Sequence, residues 1–463
     1  MRGMVVWIAL TFWAAAALPQ AITKMLQRNK INPEHVSILI QEVQGGQTVA
    51  ALTPDRSRTP ASVMKILTTY SALVDLGTGF RWPTKFYYTG RFSKGTIQGD
   101  LVVEAFGDPT LTTRDLYHIA KRMRRLGVRH IQGNLRIDRT FFANTDRIHS
   151  GFDRNRYSEY NAMPDALMLD DHMTHIVVRP HRGTVELAKT IPNDAYDLVN
   201  RLKPTDQACK GKAAWPYIGI DTQGRRPSVV FSGSLSIHCP PRTISKLLTH
   251  PYASFYHAFR AALKRAGIAL NGHMVLGTVP RGVRALLVHR SRSLLQIVAK
   301  TNKKSNNLYA RHILLLLGAQ HEGAPATESK GAKAVRDILS ARGIWSDSIY
   351  IKNGCGLSRH AKVTASALVR VLRDAYTTYG QKWLHALSIA GIDGTIKRRF
   401  KHSIAKGQAW MKTGTLNNAK NIAGYVRGTS GKYYIVAVLY NGRERWKGST
   451  LQNQIIAWLV RTH

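Results

Sequence analysis

The chain has 463 residues, 44% of them hydrophobic, which excludes a single small domain and argues against a disordered chain. Lys and Arg number 67 against 27 Asp and Glu, a formal net charge of +40 scattered along the whole sequence rather than gathered in one tail. A field of that sign attracts polyanions over long range, which makes nucleic acid, an anionic membrane surface and anionic wall polymer the partner classes to weigh.

The first element is Arg2 followed by an apolar run, Met4 to Leu18, with Ala15, Ala17 and Ala21 as small exit residues. A positive start, a short apolar run and a small-residue exit read as a secretory signal, so residues 1–21 are expected to be a cleavable signal peptide. A buried N-terminal helix and an uncleaved anchor are the alternatives, although the run is short for a span. Export, periplasmic or otherwise, excludes nucleic acid as the partner and turns the charge towards acidic wall or membrane surfaces.

Alternation over Val36 to Val43 predicts a strand, Gly45-Gly46 a hairpin turn, and Thr48 to Leu52 a second strand. Pro60 precedes a helix expected from Ser62 to Leu76 and ended by Gly77 and Gly79. From 88 to 284 short strand-like runs dominate, such as Asp100 to Glu104, Ile131 to Ile137, Ile176 to Arg179 and Val229 to Phe231; one amphipathic helix, Thr113 to Leu126, interrupts them. Helices return at Ser293 to Asn302, Asn307 to Leu317 and Lys330 to Arg342, and the end reads strand, strand, helix: Asn421 to Arg427, Tyr433 to Tyr440, Leu451 to Val460. The expected class is α/β (α+β). Residues 22–87 and 285–463 would form one domain, an antiparallel sheet flanked by helices in which the first two strands join the last two. Residues 88–284 would form a large, mostly-β insertion of two subdomains. Cys209 and Cys239 lie in the same region and can bridge in an exported chain, but sequence alone leaves the pairing open; Cys355 is then left over, read first as a small loop residue and second as a reactive thiol.

Ser62-Val63-Met64-Lys65 stands at a predicted helix start, where i and i+3 share a face. A neutral Lys65 amine beside the Ser62 hydroxyl can take its proton, and the helix N-terminus favours an oxyanion. Alone the motif is weak: about two matches are expected by chance in a chain this long. A second copy, Ser403-Ile404-Ala405-Lys406, sits in a polar stretch with no helix behind it and is rejected. Ser305-Asn306-Asn307 falls between two predicted helices, where a short loop can present a hydroxyl and an amide to a cleft. Lys412-Thr413-Gly414-Thr415 would lie on a strand, with Gly414 allowing a substrate backbone to approach closely. Singly, these read as helix caps and a solvated edge strand; in this order and context they read as a catalytic set.

Ser-x-x-Lys, Ser-x-Asn and Lys-Thr-Gly form the signature of penicillin-binding proteins and class A β-lactamases. The sequence resembles that superfamily, and more closely the low-molecular-mass D-alanyl-D-alanine carboxypeptidase/endopeptidase branch, because about half of the chain separates Ser62 from Ser305. Gly107 to Leu111, Asn161 to Leu167, Asn307 to Ala310, Gly391 to Thr395 and Ala423 to Tyr425 match that branch as well. Two departures stand out: Asn353-Gly354-Cys355-Gly356 replaces the usual Asp-Gly-Ser-Gly, and Arg311 stands where relatives often have Glu.

The resemblance implies a β-lactamase/transpeptidase-like fold and hydrolysis of D-alanyl bonds in peptidoglycan stem peptides and cross-links, with β-lactam antibiotics as covalent inhibitors and no metal or cofactor. It assigns Ser62 as nucleophile and Lys65 as base, with Lys412 depressing the Lys65 pKa. Ser305 would relay a proton to the leaving amine, and Asn307 would hold the substrate amide and Lys65. Lys412, Thr413 and Thr415 would bind the terminal carboxylate, and the N–H groups of Ser62 and Thr415 would form the oxyanion hole. A β-lactamase and a non-catalytic cationic wall binder of the same fold are the competing functions. Asp170-Asp171-His172 with His175 reads as a solvated or a turn segment rather than a metal cluster.

Overall fold

A computed structural model describes residues 18–463 apart from 144–146, 182, 192, 194 and 225. Most of the expected signal peptide lies outside the described residues. Helix α1 (Gln20–Arg28) buries Ile22 and Leu26. It leads to β1 (Val36–Glu42) and β2 (Thr48–Leu52), the hairpin foreseen from alternation, with Gly45 and Gly46 both in the left-handed region its turn requires. Helix α2 (Lys65–Leu76) is buried from Lys65 to Leu73, and its buried polar side chains Lys65, Thr68 and Thr69 find partners within the protein. Strands β3 (Pro83–Tyr88) and β4 (Leu101–Ala105) follow. Helix α3 (Thr113–Arg125) starts at a Thr112/Asp115 capping box, and β5 (Leu135–Asp138) comes after it.

Two three-stranded sheets occupy 174–246: Thr184–Lys189, Thr174–His181 and Arg242–Lys246 in one, and Asp197–Thr205, Ser228–Ser236 and Tyr217–Asp221 in the other. A Cys209–Cys239 disulfide closes the second region, and Cys355 is free and buried. Helix α4 (Pro251–Arg265) then precedes β6 (Met274–Leu276) and β7 (Arg284–Arg290). The remainder is α5 (Leu294–Lys304), α6 (Asn307–Glu322), α7 (Glu328–Ala341), α8 (Ala365–Tyr379), β8 (Ser388–Ile389), β9 (Ala409–Leu416), β10 (Ala419–Arg427), β11 (Tyr433–Tyr440) and α9 (Arg445–Thr462). None of the described helices is long and apolar enough to cross a membrane.

The sheet that positions the site has the order β8-β9-β10-β11-β1-β2 and is antiparallel throughout, so the chain's first and last strands meet as β1 against β11. Its two faces follow the period of two. Ile435, Ala437 and Leu439 pack with α2, α6, α7 and α8, whereas Val436, Val438 and Tyr440 pack with α1 and α9. A one-residue slip in β11 would exchange these sets, which fixes the register and with it the height of β9 against α2. Helices α6 and α7 touch through glycine: a Cβ on Gly318 would lie 2.6 Å from the Gly331 nitrogen.

A five-stranded sheet, β6-β5-β4-β3-β7, has its own core under α3 and α4, including Val103, Ile119, Phe255 and Phe259. Helix α4 was not foreseen, so the segment expected to be mostly β holds part of a helix-covered sheet rather than strands alone. The expected boundaries at 87/88 and 284/285 fall inside β3 and β7, which pair with each other from Pro83↔Arg290 to Tyr88↔Arg284.

Candidate active site

The nucleophile candidate is presented by a strained turn that the sheet holds from below. Asn421, fully buried on β10, donates through Nδ2 to the carbonyls of Thr59 and Pro60, both at 2.8 Å, and Asn441 Oδ1 accepts from the Thr59 N–H at 2.7 Å. Ala61 is thereby kept at φ 48°, a left-handed conformation that costs a non-glycine residue about 1–3 kcal/mol. The expected helix start at Ser62 is corrected: Ala61–Met64 is a 3-10 turn, and α2 begins at Lys65. In a 3-10 turn residues i and i+3 eclipse each other, which stacks Lys65 directly on Ser62. Lys65 Nζ lies 2.9 Å from Ser62 Oγ.

Lys65 is fully buried, and its amine also donates to Asn307 Oδ1 and to the Cys355 carbonyl, each at 2.7 Å. Those two acceptors use the two N–H bonds of a neutral amine and leave its lone pair for the Ser62 hydroxyl. Burial is the main force that lowers its pKa to about 8, and the buried Arg311 guanidinium one turn beyond Asn307 on α6 acts in the same direction. Like-charge repulsion between the two amines bears on Lys412, which burial and Lys65 together hold well below the usual lysine range.

Ser305 closes α5 at φ 56°, and Asn306 caps α6 by accepting from the Tyr309 N–H at 3.0 Å, so the Ser-x-Asn motif is the expected loop between two helices. Asn307 Nδ2 donates to the Tyr160 carbonyl at 3.0 Å, which brings the 88–284 segment to the edge of the site. Fully buried Lys412 on β9 donates to Ser305 Oγ at 2.9 Å and to the Thr413 carbonyl at 2.7 Å. Thr413 Oγ1 lies 2.8 Å from Thr395 Oγ1, and Thr415 is exposed at the end of the strand. A Cβ on Gly414 would sit 2.7 Å from the Pro60 carbonyl oxygen and 2.9 Å from the Ser62 nitrogen. Gly414 therefore permits a close approach of the nucleophile's own turn.

All eight candidate residues, Ser62, Lys65, Ser305, Asn307 and Lys412 to Thr415, converge on one cleft between β9, α2 and the α5–α6 loop. Two serine–lysine pairs face it, joined by the short Ser305–Asn307 segment. The arrangement can remove a proton from one hydroxyl and supply one through the other. Sequence reasoning missed Tyr160, Asn421 and the Cys355 carbonyl. The Cys355 thiol itself points away, 3.2 Å from Asn353 Oδ1, and the left-handed Gly356 is required because a Cβ there would lie 1.9 Å from the Ala61 oxygen. Arg311 pairs with Glu328 of α7 at 2.9 Å. The rejected copy, Ser403 to Lys406, is a run of turns with no helix. Of the solvated and turn readings of the Asp170–His172 cluster, the turn holds, since these residues form a 3-10 turn; His172 itself is buried with both ring nitrogens on backbone carbonyls, Met163 and Thr249, and burial lowers its pKa to about 4.

Comparison with known proteins bears on this constellation. The profile of the D-Ala-D-Ala carboxypeptidase 3 (S13) family matches residues 18–462. A D-alanyl-D-alanine carboxypeptidase of Actinomadura sp. (strain R39) is 28% identical over 417 residues, covering 85% of this chain and 76% of that protein. D-alanyl-D-alanine carboxypeptidase DacB of Haemophilus influenzae is 26% identical over 422 residues, 88% of this chain and 85% of that one. Among solved structures, penicillin binding protein 4 (dacB) from Haemophilus influenzae superposes with a TM-score of 0.80 at 23% identity, covering 95% of this chain and 99% of that chain. Bd3459, a predatory peptidoglycan endopeptidase from Bdellovibrio bacteriovorus, superposes at 0.52 and 16% identity over 91% and 92% of the two chains.

Proposed function

The chain belongs to the D-Ala-D-Ala carboxypeptidase 3 (S13) family, and we propose that it is an exported serine hydrolase that cuts the D-alanyl bond of peptidoglycan stem peptides through an acyl-enzyme on Ser62. The observation that carries this reading is the Lys65 amine, buried, lowered to about 8 and 2.9 Å from Ser62 Oγ. Ser62 Oγ attacks the carbonyl carbon of the penultimate D-alanine as its proton passes to Lys65. The N–H groups of Ser62 and Thr415 receive the oxyanion. The C–N bond breaks as Ser305, backed by Lys412, passes a proton to the leaving amine. Water then releases the acyl group by the reverse traffic. Lys412 and Thr413, with Thr415, hold the terminal carboxylate; the ionised ligand favours the ammonium form of Lys412 that burial disfavours.

The same machinery serves a free D-alanine and a cross-linked stem as leaving group. β-Lactams enter as covalent inhibitors by acylating Ser62, and the surplus of cations suits an anionic wall surface. The division into a catalytic part, 22–87 with 285–463, and an inserted part, 88–284, belongs to this reading, with the joints moved outwards to the ends of the β3–β7 pair. The test is D-alanine release from a soluble stem pentapeptide. The parent should release it and Ser62→Ala should not; equal release by both would overturn the reading.

A further inference from the structure

Beside Thr415, towards α9, lies an open groove lined by Thr415, Lys420, Arg443, Arg445, Trp446 and Ser449. Of these residues only Thr415 takes part in the proposed reaction; the others lie beyond the terminal D-Ala-D-Ala unit held at Ser62, Lys412, Thr413 and Thr415.

Its charge is one-sided. Lys420 Nζ donates to Thr415 Oγ1 at 3.1 Å and meets no carboxylate among the described residues. Burial, Arg399 and Arg445 all lower its pKa, the mark of a cation among cations. Behind it, Arg399 is held by neutral groups, among them Gln452 Oε1 and the Ser449 carbonyl, both at 2.9 Å. The single acid in the lining, Glu444, is engaged by Lys447 at 2.5 Å. Arg443 and Arg445 are exposed and make no ion pair among the described residues. Beside them the Trp446 ring is 61% exposed, although an indole face of this size is normally covered. Cations for carboxylates and an exposed indole for the C–H face of a sugar ring, with Lys447 Nζ 5.7 Å from its ring centroid, occur together beside the catalytic strand.

We propose that the groove formed by Lys420, Arg443, Arg445 and Trp446 binds the polymeric part of the substrate, an anionic glycan strand bearing carboxylate-rich peptides, and holds it while a stem is cut at Ser62. The proposal rests on the peptidase reading above and adds to it a site for the part of the wall that a soluble peptide lacks. Charge complementarity selects this occupant, and continuity with Thr415 sets it beside the bond to be cleaved.

The test is co-sedimentation of the full chain with purified sacculi at fixed salt, for Trp446→Ala and for Arg443→Ser/Arg445→Ser. Arg114→Ala/Arg125→Ala, which removes the same charge from exposed positions of α3, is the control. Benzylpenicillin labelling of each protein reports the catalytic cleft separately. Both groove variants should bind sacculi about tenfold more weakly than the control, because a charged cleft concentrates its ligand by that order. Binding equal to the control would overturn the proposal. So would variants that lose affinity only for vesicles of anionic phospholipid, which would give the groove to a membrane surface. A parent that fails to label with benzylpenicillin yet still needs the groove for sacculi would sink the peptidase reading and leave the groove standing.

Discussion

Raising the pH from 7 to 9 should accelerate acylation of Ser62 about tenfold, because the step draws on the uncharged form of Lys65. With its pKa lowered to about 8, Lys65 is neutral in about one molecule in ten at pH 7 and about nine in ten at pH 9. A lysine of ordinary pKa would be neutral in fewer than about one in a thousand at pH 7, so burial supplies a gain on the order of a hundredfold. The sign is fixed: a base must lose its proton before it can accept one, so the rate climbs through pH 8 and then levels. The second-order rate constant for benzylpenicillin acylation, followed by mass at a series of pH values, reads this directly. Arg311→Met removes a buried cation that disfavours the charged amine. Its midpoint should move to higher pH, with a slower rate at pH 7 and an unchanged plateau. A profile that is flat or falls across pH 7 to 9, or an Arg311→Met midpoint that does not move, would refute the reasoning.

Gly414→Ala should slow acylation by about a hundredfold, the usual cost of a misplacement near 1 Å, since neither the Pro60 oxygen nor the Ser62 nitrogen can retreat; the penicillin acylation rate checks it. Asn421→Ala releases the carbonyls of Thr59 and Pro60 and should lower stability by about 1–3 kcal/mol in denaturant titration while slowing acylation. Cys209→Ser/Cys239→Ser opens a link across 30 residues and should destabilise that region by about 3–4 kcal/mol. Limited proteolysis should then cut within residues 197–246, with Ser62 labelling retained.

The site was legible because its chemistry is written in side chains at local spacings: Ser62 with Lys65, Ser305 with Asn307, Lys412 with Thr415. The sheet was legible for a related reason, since alternation in Val36 to Val43 and Tyr433 to Tyr440 records two buried faces. What escaped depends on the backbone. The carbonyls of Cys355 and Tyr160 carry no residue-type signal, so their acceptance of Lys65 and Asn307 is visible only in three dimensions. Asn421 resembles any polar residue on a strand until Thr59 and Pro60 are folded over it. Helices α4 and α8 carry start signals, Pro251 at the first turn and Thr364 as N-cap, masked by aromatic and β-branched residues that also suit strands.

The most direct test of the account is the intact mass of the protein after incubation with benzylpenicillin, with the labelled peptide mapped and Ser62→Ala run alongside. One adduct on the parent, located at Ser62, and none on the variant is the expected result. An adduct that persists on Ser62→Ala, whether on Ser305, on Ser403 or on another serine, would contradict it.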